Sequence, residues 1–244
     1  MRDLLSERKV RRETGCFVVE GAVLIGAALD AGLNVIEEFV LESAEPVSQA
    51  VVHWIDETTL ERVASTVTPQ PNIAVVETPS SPSLGSLTDG WVLVADRVQD
   101  PGNLGTMVRS AVAAGASCIV TTPNTVDVLS PKVVRAAAGA LFAVSFLQGV
   151  SLSAVAENGF ELVGTSSHDQ PGVVDYDAFD FTRRVALVMG NEAAGLSGDA
   201  PVHSWVTIPH AGPVESLNVA MAATVLCFEV ARQRGRGASK SPRD

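Results

Sequence analysis

Asp96-Arg97-Val98-Gln99-Asp100-Pro101-Gly102-Asn103-Leu104-Gly105-Thr106-Met107-Val108-Arg109-Ser110 follows the apolar run 91–95 and leads into residues whose apolar positions repeat at helical spacing. The run is bounded like a buried strand, so the stretch reads as strand, loop, helix. Leu104, Met107, Val108, Ala111 and Val112 form one stripe, with Arg109 off it. Asn103 is the expected N-cap after the Pro-Gly turn, and Gly115 can end the helix. In an open α/β sheet, the loops leaving the carboxyl ends of the strands build the binding crevice. Residues 96–103 therefore sit where ligands bind.

Outward from this stretch, short apolar runs at 91–95, 117–121, 160–165, 185–189 and 205–208 alternate with helical segments, which implies an α/β domain with a mostly parallel sheet. Ser130-Pro131 opens one helix as N-cap and first residue, and 132–139 continue it. The last helix, 216–232, is apolar on nearly every side and should be buried all round, which in a domain of this size suggests a subunit interface. Residues 1–78 read as a separate small α/β module. It has a helix at 20–31 ended by Gly32, strands at 35–41 and 73–76, and a short helix at 58–64. Thr78-Pro79-Ser80-Ser81-Pro82-Ser83-Leu84-Gly85-Ser86 is linker-like, so the expected division is 1–78, a linker at 79–90, and 91–244.

The chain has 244 residues, 46% of them hydrophobic, enough for a sizeable core. Its longest strongly apolar segment, 217–228, is too short to span a bilayer, and the start Met1-Arg2-Asp3-Leu4 has no apolar signal-peptide core. No membrane association and a cytoplasmic location are expected. Cys16, Cys118 and Cys227 have neither disulfide nor zinc spacing, so no metal is expected. The net charge of −11 is unevenly spread. Five of the 17 basic residues lie in the first twelve positions (Arg2, Arg8, Lys9, Arg11, Arg12) and five in the last thirteen (Arg232, Arg234, Arg236, Lys240, Arg243). Between Glu13 and Gly90, twelve acidic residues face only Arg62. The termini are basic arms on an acidic body.

Three strand ends carry residues that a packed core would not want. They are Asp100 to Asn103, Gly190-Asn191-Glu192-Ala193-Ala194-Gly195-Leu196-Ser197, and Ile208-Pro209-His210-Ala211-Gly212-Pro213-Val214-Glu215-Ser216-Leu217-Asn218. All three should open on one sheet edge, where glycines let backbone approach a ligand closely and Asn103, Glu192, Ser216 and Asn218 supply polar groups. One pocket made from three loops is the simplest reading. A dinucleotide fold would need Gly-x-Gly-x-x-Gly directly after a strand, and the chain has neither that pattern nor a phosphate-binding P-loop.

Asn103-Leu104-Gly105-Thr106 with Arg109, Met189-Gly190-Asn191-Glu192 with Gly195-Leu196-Ser197, and Ile208-Pro209 with Glu215-Ser216-Leu217-Asn218 resemble, in order, the three motifs of the SpoU (TrmH) family of RNA 2′-O-ribose methyltransferases, of the SPOUT class. The likeness covers about residues 90–234. The first module is similar to the family's substrate-binding domain through Arg8-Lys9-Val10-Arg11-Arg12-Glu13, Phe17-Val18-Val19-Glu20-Gly21 and Thr68-Pro69-Gln70. Ala193 stands where the family commonly has glycine, and His210 where it often has methionine.

The resemblance implies a parallel sheet whose C-terminal part forms a trefoil knot, an exception to the rule against threaded chains. It implies S-adenosylmethionine as cofactor, with Gly190, Ile208, Leu217 and Thr165 as its contacts, and a homodimer packed through the knot and last helix. It implies Arg109 as the catalytic arginine, with Asn103, Glu192, Ser216 and Asn218 ordering it and the ribose. A guanidinium stays protonated in proteins, so Arg109 is read as a clamp on an RNA phosphate and a stabiliser of the developing alkoxide. Arg8, Lys9, Arg11 and Arg12 are the expected RNA contacts. Ribosomal RNA is the expected substrate, with transfer RNA as the nearest alternative. A non-catalytic RNA-binding protein is the competing class.

Overall fold

A computed structural model describes residues 1–63, 68–87, 90–166, 172–213 and 216–235. Residue 64 of the expected short helix, Glu215 of the third motif, and Arg236, Lys240 and Arg243 of the C-terminal arm lie outside the described residues. The chain forms two compact units: Met1–Ser80 with Asp127–Ala143, and Ser81–Val126 with Val144–Asp244.

The first unit contains helices α1 (Arg2–Ser6) and α2 (Arg8–Thr14), strand β1 (Cys16–Glu20), helix α3 (Ala22–Asp30), strands β2 (Val35–Leu41) and β3 (Val51–Ile55), helix α4 (Glu57–Val63), strand β4 (Asn72–Glu77) and, later in the chain, a helix at Pro131–Ala136. The strands make a mixed sheet in the order β1-β4-β2-β3: β4 runs antiparallel to both β1 and β2, and β3 is parallel to β2. Leu4, Val18, Ile55, Leu60, Ile73 and Val75 form one of its core clusters. Glu38 of β2 is fully buried, yet four donors satisfy it. Val47 N lies 3.0 Å away, Ser48 N 2.8 Å, Ser48 Oγ 2.7 Å and Asn72 Nδ2 2.9 Å. Burial alone would push the Glu38 carboxyl up, but these hydrogen bonds outweigh it and hold the group below its ordinary value.

Two expectations for this unit change. The N-terminal basic residues form packed helices instead of a free-standing arm, because Leu4 packs into the core and Gly15 ends α2 at φ +64°. The segment Asp127–Ala143, which the sequence reading puts in the second domain, packs with the first unit. Arg11 reaches Asp127 Oδ2 from both Nε and Nη2 at 2.7 Å, and Arg135 Nη1 lies 3.2 Å from Glu20 Oε2.

In the second unit, β5 (Val92–Ala95), β6 (Cys118–Thr121), β7 (Ser145–Gln148), β8 (Glu161–Thr165), β9 (Val173–Asp175), β10 (Val185–Met189) and β11 (Ser204–Thr207) form a seven-stranded sheet, parallel throughout, in the order β7-β6-β5-β10-β8-β11-β9. The central β5 and β10 are buried at every position, as expected of strands covered on both faces. Helix α5 (Pro101–Ala113) follows β5, α6 (Pro131–Ala136) is the helix already assigned to the first unit, α7 (Leu152–Glu157) precedes β8, and α8 (Val219–Gly235) closes the described chain. Leu104, Met107, Val108 and Ala111 of α5 are fully buried, and α5 packs along α8, where the hydroxyls of Ser110 and Thr224 meet at 2.7 Å.

The cap of α5 is Asp100, not Asn103. Its Oδ1 accepts the Asn103 N–H at 2.7 Å, and Pro101 occupies the first helical position. Helix α8 starts at Val219, with Asn218 Oδ1 accepting from Ala220 N at 2.9 Å. It is not buried all round. Ala220, Ala223, Leu226, Cys227 and Val230 are buried, whereas Met221 (62% accessible), Val225 and Phe228 (51%) form an exposed apolar stripe at helical spacing.

Candidate active site

The loops after β8, β10 and β11, with the start of α8, enclose a cavity of about 530 Å³. That is within the usual size range for small-molecule sites. Thr165, Gly190, Ile208 and Leu217 all line it, as do Glu192 and Ser216. Trp205, Val206 and Leu226 give part of the wall an apolar character, while Asn191 and Glu192 make another part polar.

The loop after β10 closes on itself. Asn191 N and Gly195 O pair at 3.1 Å, Gly195 N and Asn191 O at 2.9 Å, and Asn191 Oδ1 accepts the N–H groups of Ala193 (3.0 Å) and Ala194 (2.9 Å). Gly195 takes φ +62°. The turn folds back so tightly that Gly190 has no room for a side chain: an added Cβ would lie 2.5 Å from Leu196 N. This accounts for both glycines without a phosphate-cradle pattern.

Glu192 looks away from general-base duty. Its carboxylate accepts from Asp100 N at 2.9 Å, Gln99 N at 3.1 Å and Asn103 Nδ2 at 3.2 Å. Burial would raise its pKa, but the Asp100, Gln99 and Asn103 donors prevail and lower it. The group is an ionised clamp whose acceptor capacity is largely used. Asn103 Oδ1 in turn accepts from Asn218 Nδ2 at 3.1 Å. A chain of amides therefore runs from Glu192 through Asn103 to Asn218 at the cap of α8. Asn103 and Asn218 join the site through these bonds, not by lining the cavity.

Arg109 stands apart. It is exposed on α5, outside the cavity wall, and has no ion-pair partner among the described residues. Gln99, Asp100 and Asn191 were not singled out individually by the sequence reading, although the Asp-Pro pair did mark a helix start. His210 lines the cavity, and its Nε2 is enclosed with no hydrogen-bond partner among the described residues. In the first unit, Arg8, Lys9 and Arg12 line a depression of about 490 Å³ together with Glu13. Arg11 does not join them: it is 4% accessible, pairs with Asp127 and donates to the Leu4 carbonyl. Its assignment as an RNA contact is withdrawn, because a buried, ion-paired guanidinium has no face left for phosphate. Among the described residues, no cluster of side chains could hold a metal and no helix is long and apolar enough to cross a membrane.

The sequence profile of the SpoU rRNA Methylase family matches residues 90–228, and that of the MRM3-like substrate binding domain matches residues 2–74. The chain is 31% identical to the 23S rRNA (uridine(2479)-2′-O)-methyltransferase of Streptomyces viridochromogenes, over 96% of this chain and 88% of that one. It is 30% identical to the 23S rRNA (guanosine(2553)-2′-O)-methyltransferase RlmP of Bacillus subtilis, over 93% and 92%. Among solved structures, the SpoU methyltransferase AviRb from Streptomyces viridochromogenes in complex with AdoMet superposes with a TM-score of 0.84 at 31% identity, covering 96% of each chain. The AdoMet-bound rRNA methyltransferase from Sinorhizobium meliloti gives 0.82 at 32% identity, covering 95% of this chain and 92% of that one.

Proposed function

Because the chain belongs to the SpoU rRNA Methylase family, we propose that it transfers a methyl group from S-adenosylmethionine to a ribose 2′-hydroxyl of 23S ribosomal RNA. The observation that carries the reading is the joining of a ligand-sized cavity to a polar network. Glu192 belongs to both, and Asn103 and Asn218 extend from it. The cofactor fits the residues present. The closely approached Gly190 brings backbone to the cavity wall, with Thr165, Ile208 and Leu217 as the other contacts.

S-adenosylmethionine supplies an already activated methyl group on a sulfonium, so the protein's task is to orient the ribose hydroxyl and assist loss of its proton. Glu192 orders the start of α5 by holding the Gln99 and Asp100 N–H groups. Asn103, fixed between Glu192 and Asn218, presents a set amide beside the reacting hydroxyl, and Ser216 adds a hydroxyl on the cavity wall. Arg109, with no ion-pair partner among the described residues, clamps an RNA phosphate and stabilises the alkoxide. The proton leaves through phosphate or water, since a guanidinium cannot accept it.

Residues 1–78 serve as the substrate-binding domain, with Arg8, Lys9 and Arg12 meeting phosphate, and 91–244, apart from the segment Asp127–Ala143 that packs with the first unit, as the catalytic domain. The active form is a homodimer. The exposed Met221, Val225 and Phe228 stripe supports it, since a lone chain would leave this surface in water. Incubation with total RNA and methyl-labelled cofactor, followed by mapping, tests the reading. Label on one ribose of 23S rRNA is expected. Label confined to transfer RNA would overturn the substrate, and no transfer to any RNA would overturn the activity.

A further inference from the structure

Arg97 leaves β5 at φ +55°, a left-handed conformation uncommon for residues other than glycine. Both of its peptide groups are bonded to loops elsewhere in the sequence. The N–H donates to Thr122 Oγ1 at 3.1 Å and Thr125 Oγ1 at 3.0 Å, two buried threonines beyond the end of β6. The carbonyl accepts from Asn191 Nδ2 at 2.9 Å, beyond β10, and from Gln99 Nε2 at 3.0 Å.

Two of these partners, Asn191 and Gln99, reach the site. The Asn191 amide that binds Arg97 uses its oxygen to hold the Ala193 and Ala194 N–H groups, and so shapes the turn that lines the cavity. Gln99, tied to Arg97 by its side chain, offers its own N–H to Glu192 at 3.1 Å. We propose that Arg97 is a positioning residue acting through its backbone. Its left-handed peptide groups join the loops after β5, β6 and β10 and keep the cavity-lining turn in register with the Glu192 and Asn103 network. The inference rests on the cavity being the S-adenosylmethionine site. The side chain has attachments of its own, Nε to Asp96 Oδ2 at 3.0 Å and a long bond from Nη2 to the Gly195 carbonyl at 3.5 Å, so the guanidinium also touches the turn and its role must be divided from that of the backbone by substitution.

Arg97→Val and Arg97→Gly make the division. Valine is a steric outlier at positive φ, whereas glycine adopts it freely and also removes the guanidinium. The measurements are calorimetric affinity for S-adenosylmethionine without RNA, single-turnover methyl transfer, and amide hydrogen exchange at Gln99, Asp100, Ala193 and Ala194. The valine variant should bind cofactor about tenfold more weakly and exchange faster at those four amides, while the glycine variant stays within about twofold of the parent in both. Rescue by glycine is the outcome that a side-chain role would not produce. A glycine variant as impaired as the valine one would place the role in the guanidinium and overturn the inference. So would a valine variant with parental affinity and parental exchange. If the parent itself binds no S-adenosylmethionine, the cofactor reading fails, and the exchange comparison still decides what Arg97 does.

Discussion

A Cβ on Gly190 would lie 2.4 Å from the carbonyl carbon of Gly195, a contact with backbone that no side-chain rotation relieves. Gly190→Ala should therefore open the Asn191–Gly195 turn instead of filling a space. We expect cofactor affinity to fall by about tenfold or more, with a smaller effect on melting temperature, because the turn is largely exposed and the sheet beneath it is not. Calorimetry with S-adenosylmethionine checks this. Parental affinity in the alanine variant would mean that the turn's closure is irrelevant to binding.

Arg109 is exposed and outside the cavity wall, so its loss should hurt chemistry more than folding or cofactor binding. Arg109→Ala is expected to lower single-turnover methyl transfer by roughly 10²-fold, the scale seen when a preorganised charge stabiliser is removed. Arg109→Lys should rescue little, since lysine keeps the charge but loses the planar fork that matches phosphate. An alanine variant working at the parental rate would remove Arg109 from the mechanism.

Glu38 gives the first unit an acid sensitivity whose sign follows from its lowered pKa. A carboxylate is most stabilising where it is ionised in both folded and unfolded chains, above its unfolded value of about 4.3. That contribution is lost as the pH falls below this value and through the lower folded one. Glu38→Gln should cost about 2 kcal/mol at neutral pH, because one of the two accepting oxygens becomes an NH2 that faces buried donors. The gap between parent and variant should narrow between about pH 5 and pH 3 in thermal melts. A gap that stays constant across that range would show that ionised Glu38 is not what holds the Val47–Ser48 turn.

The basic face and the buried arginine of α2 should separate cleanly. Lys9→Ala with Arg12→Ala, both exposed, should weaken RNA binding and flatten its dependence on salt, as fewer phosphates are neutralised, with little change in stability. Arg11→Ala should instead destabilise the fold by about 3 kcal/mol or more, since it leaves the Asp127 carboxylate buried and unpaired. Salt titrations of RNA affinity beside chemical denaturation would distinguish them. An unchanged salt slope in the double variant would exclude this face as the phosphate contact.

The stripe on α8 makes oligomeric state testable without touching the cavity wall. Met221→Lys with Phe228→Glu places charge in what would be an apolar contact, and sedimentation should then shift from dimer to monomer. A parent that sediments as a monomer at micromolar concentration would count against the homodimer.

The central strands were legible because burial on both faces forces unbroken apolar runs, as in Val92–Ala95 and Val185–Met189. The outer strands were not. Val51–Ile55 carries an exposed His53 and Trp54, Ser145–Gln148 is polar at both ends, and Val173–Asp175 is three residues long, so none makes a run that stands out from loop. Two of the pocket's loops, after β10 and β11, could be read from where polar residues and glycines interrupt the strand ends, whereas 100–103 joins the site through hydrogen bonds to Glu192 without lining the cavity. The Asp100 cap was also readable, by the same Ser130-Pro131 pattern recognised elsewhere, and the more prominent Asn103 obscured it. Arg11 could not be read. Its partner is 116 positions away, and no local pattern distinguishes a buried arginine from its exposed neighbours.

The return of Asp127–Ala143 to the first unit bears on how the chain is made. On a ribosome the N-terminal sheet emerges early, but Arg11 and Glu20 wait for Asp127 and Arg135 while β5, α5 and β6 of the second unit are still being added. Folding one domain at a time from the N-terminus, the common course for multidomain chains, is interrupted here. A nascent chain halted between residues 80 and 126 holds a half-built unit with a buried-type arginine lacking its counter-charge, and such a fragment should be more protease-sensitive than one halted past Ala143.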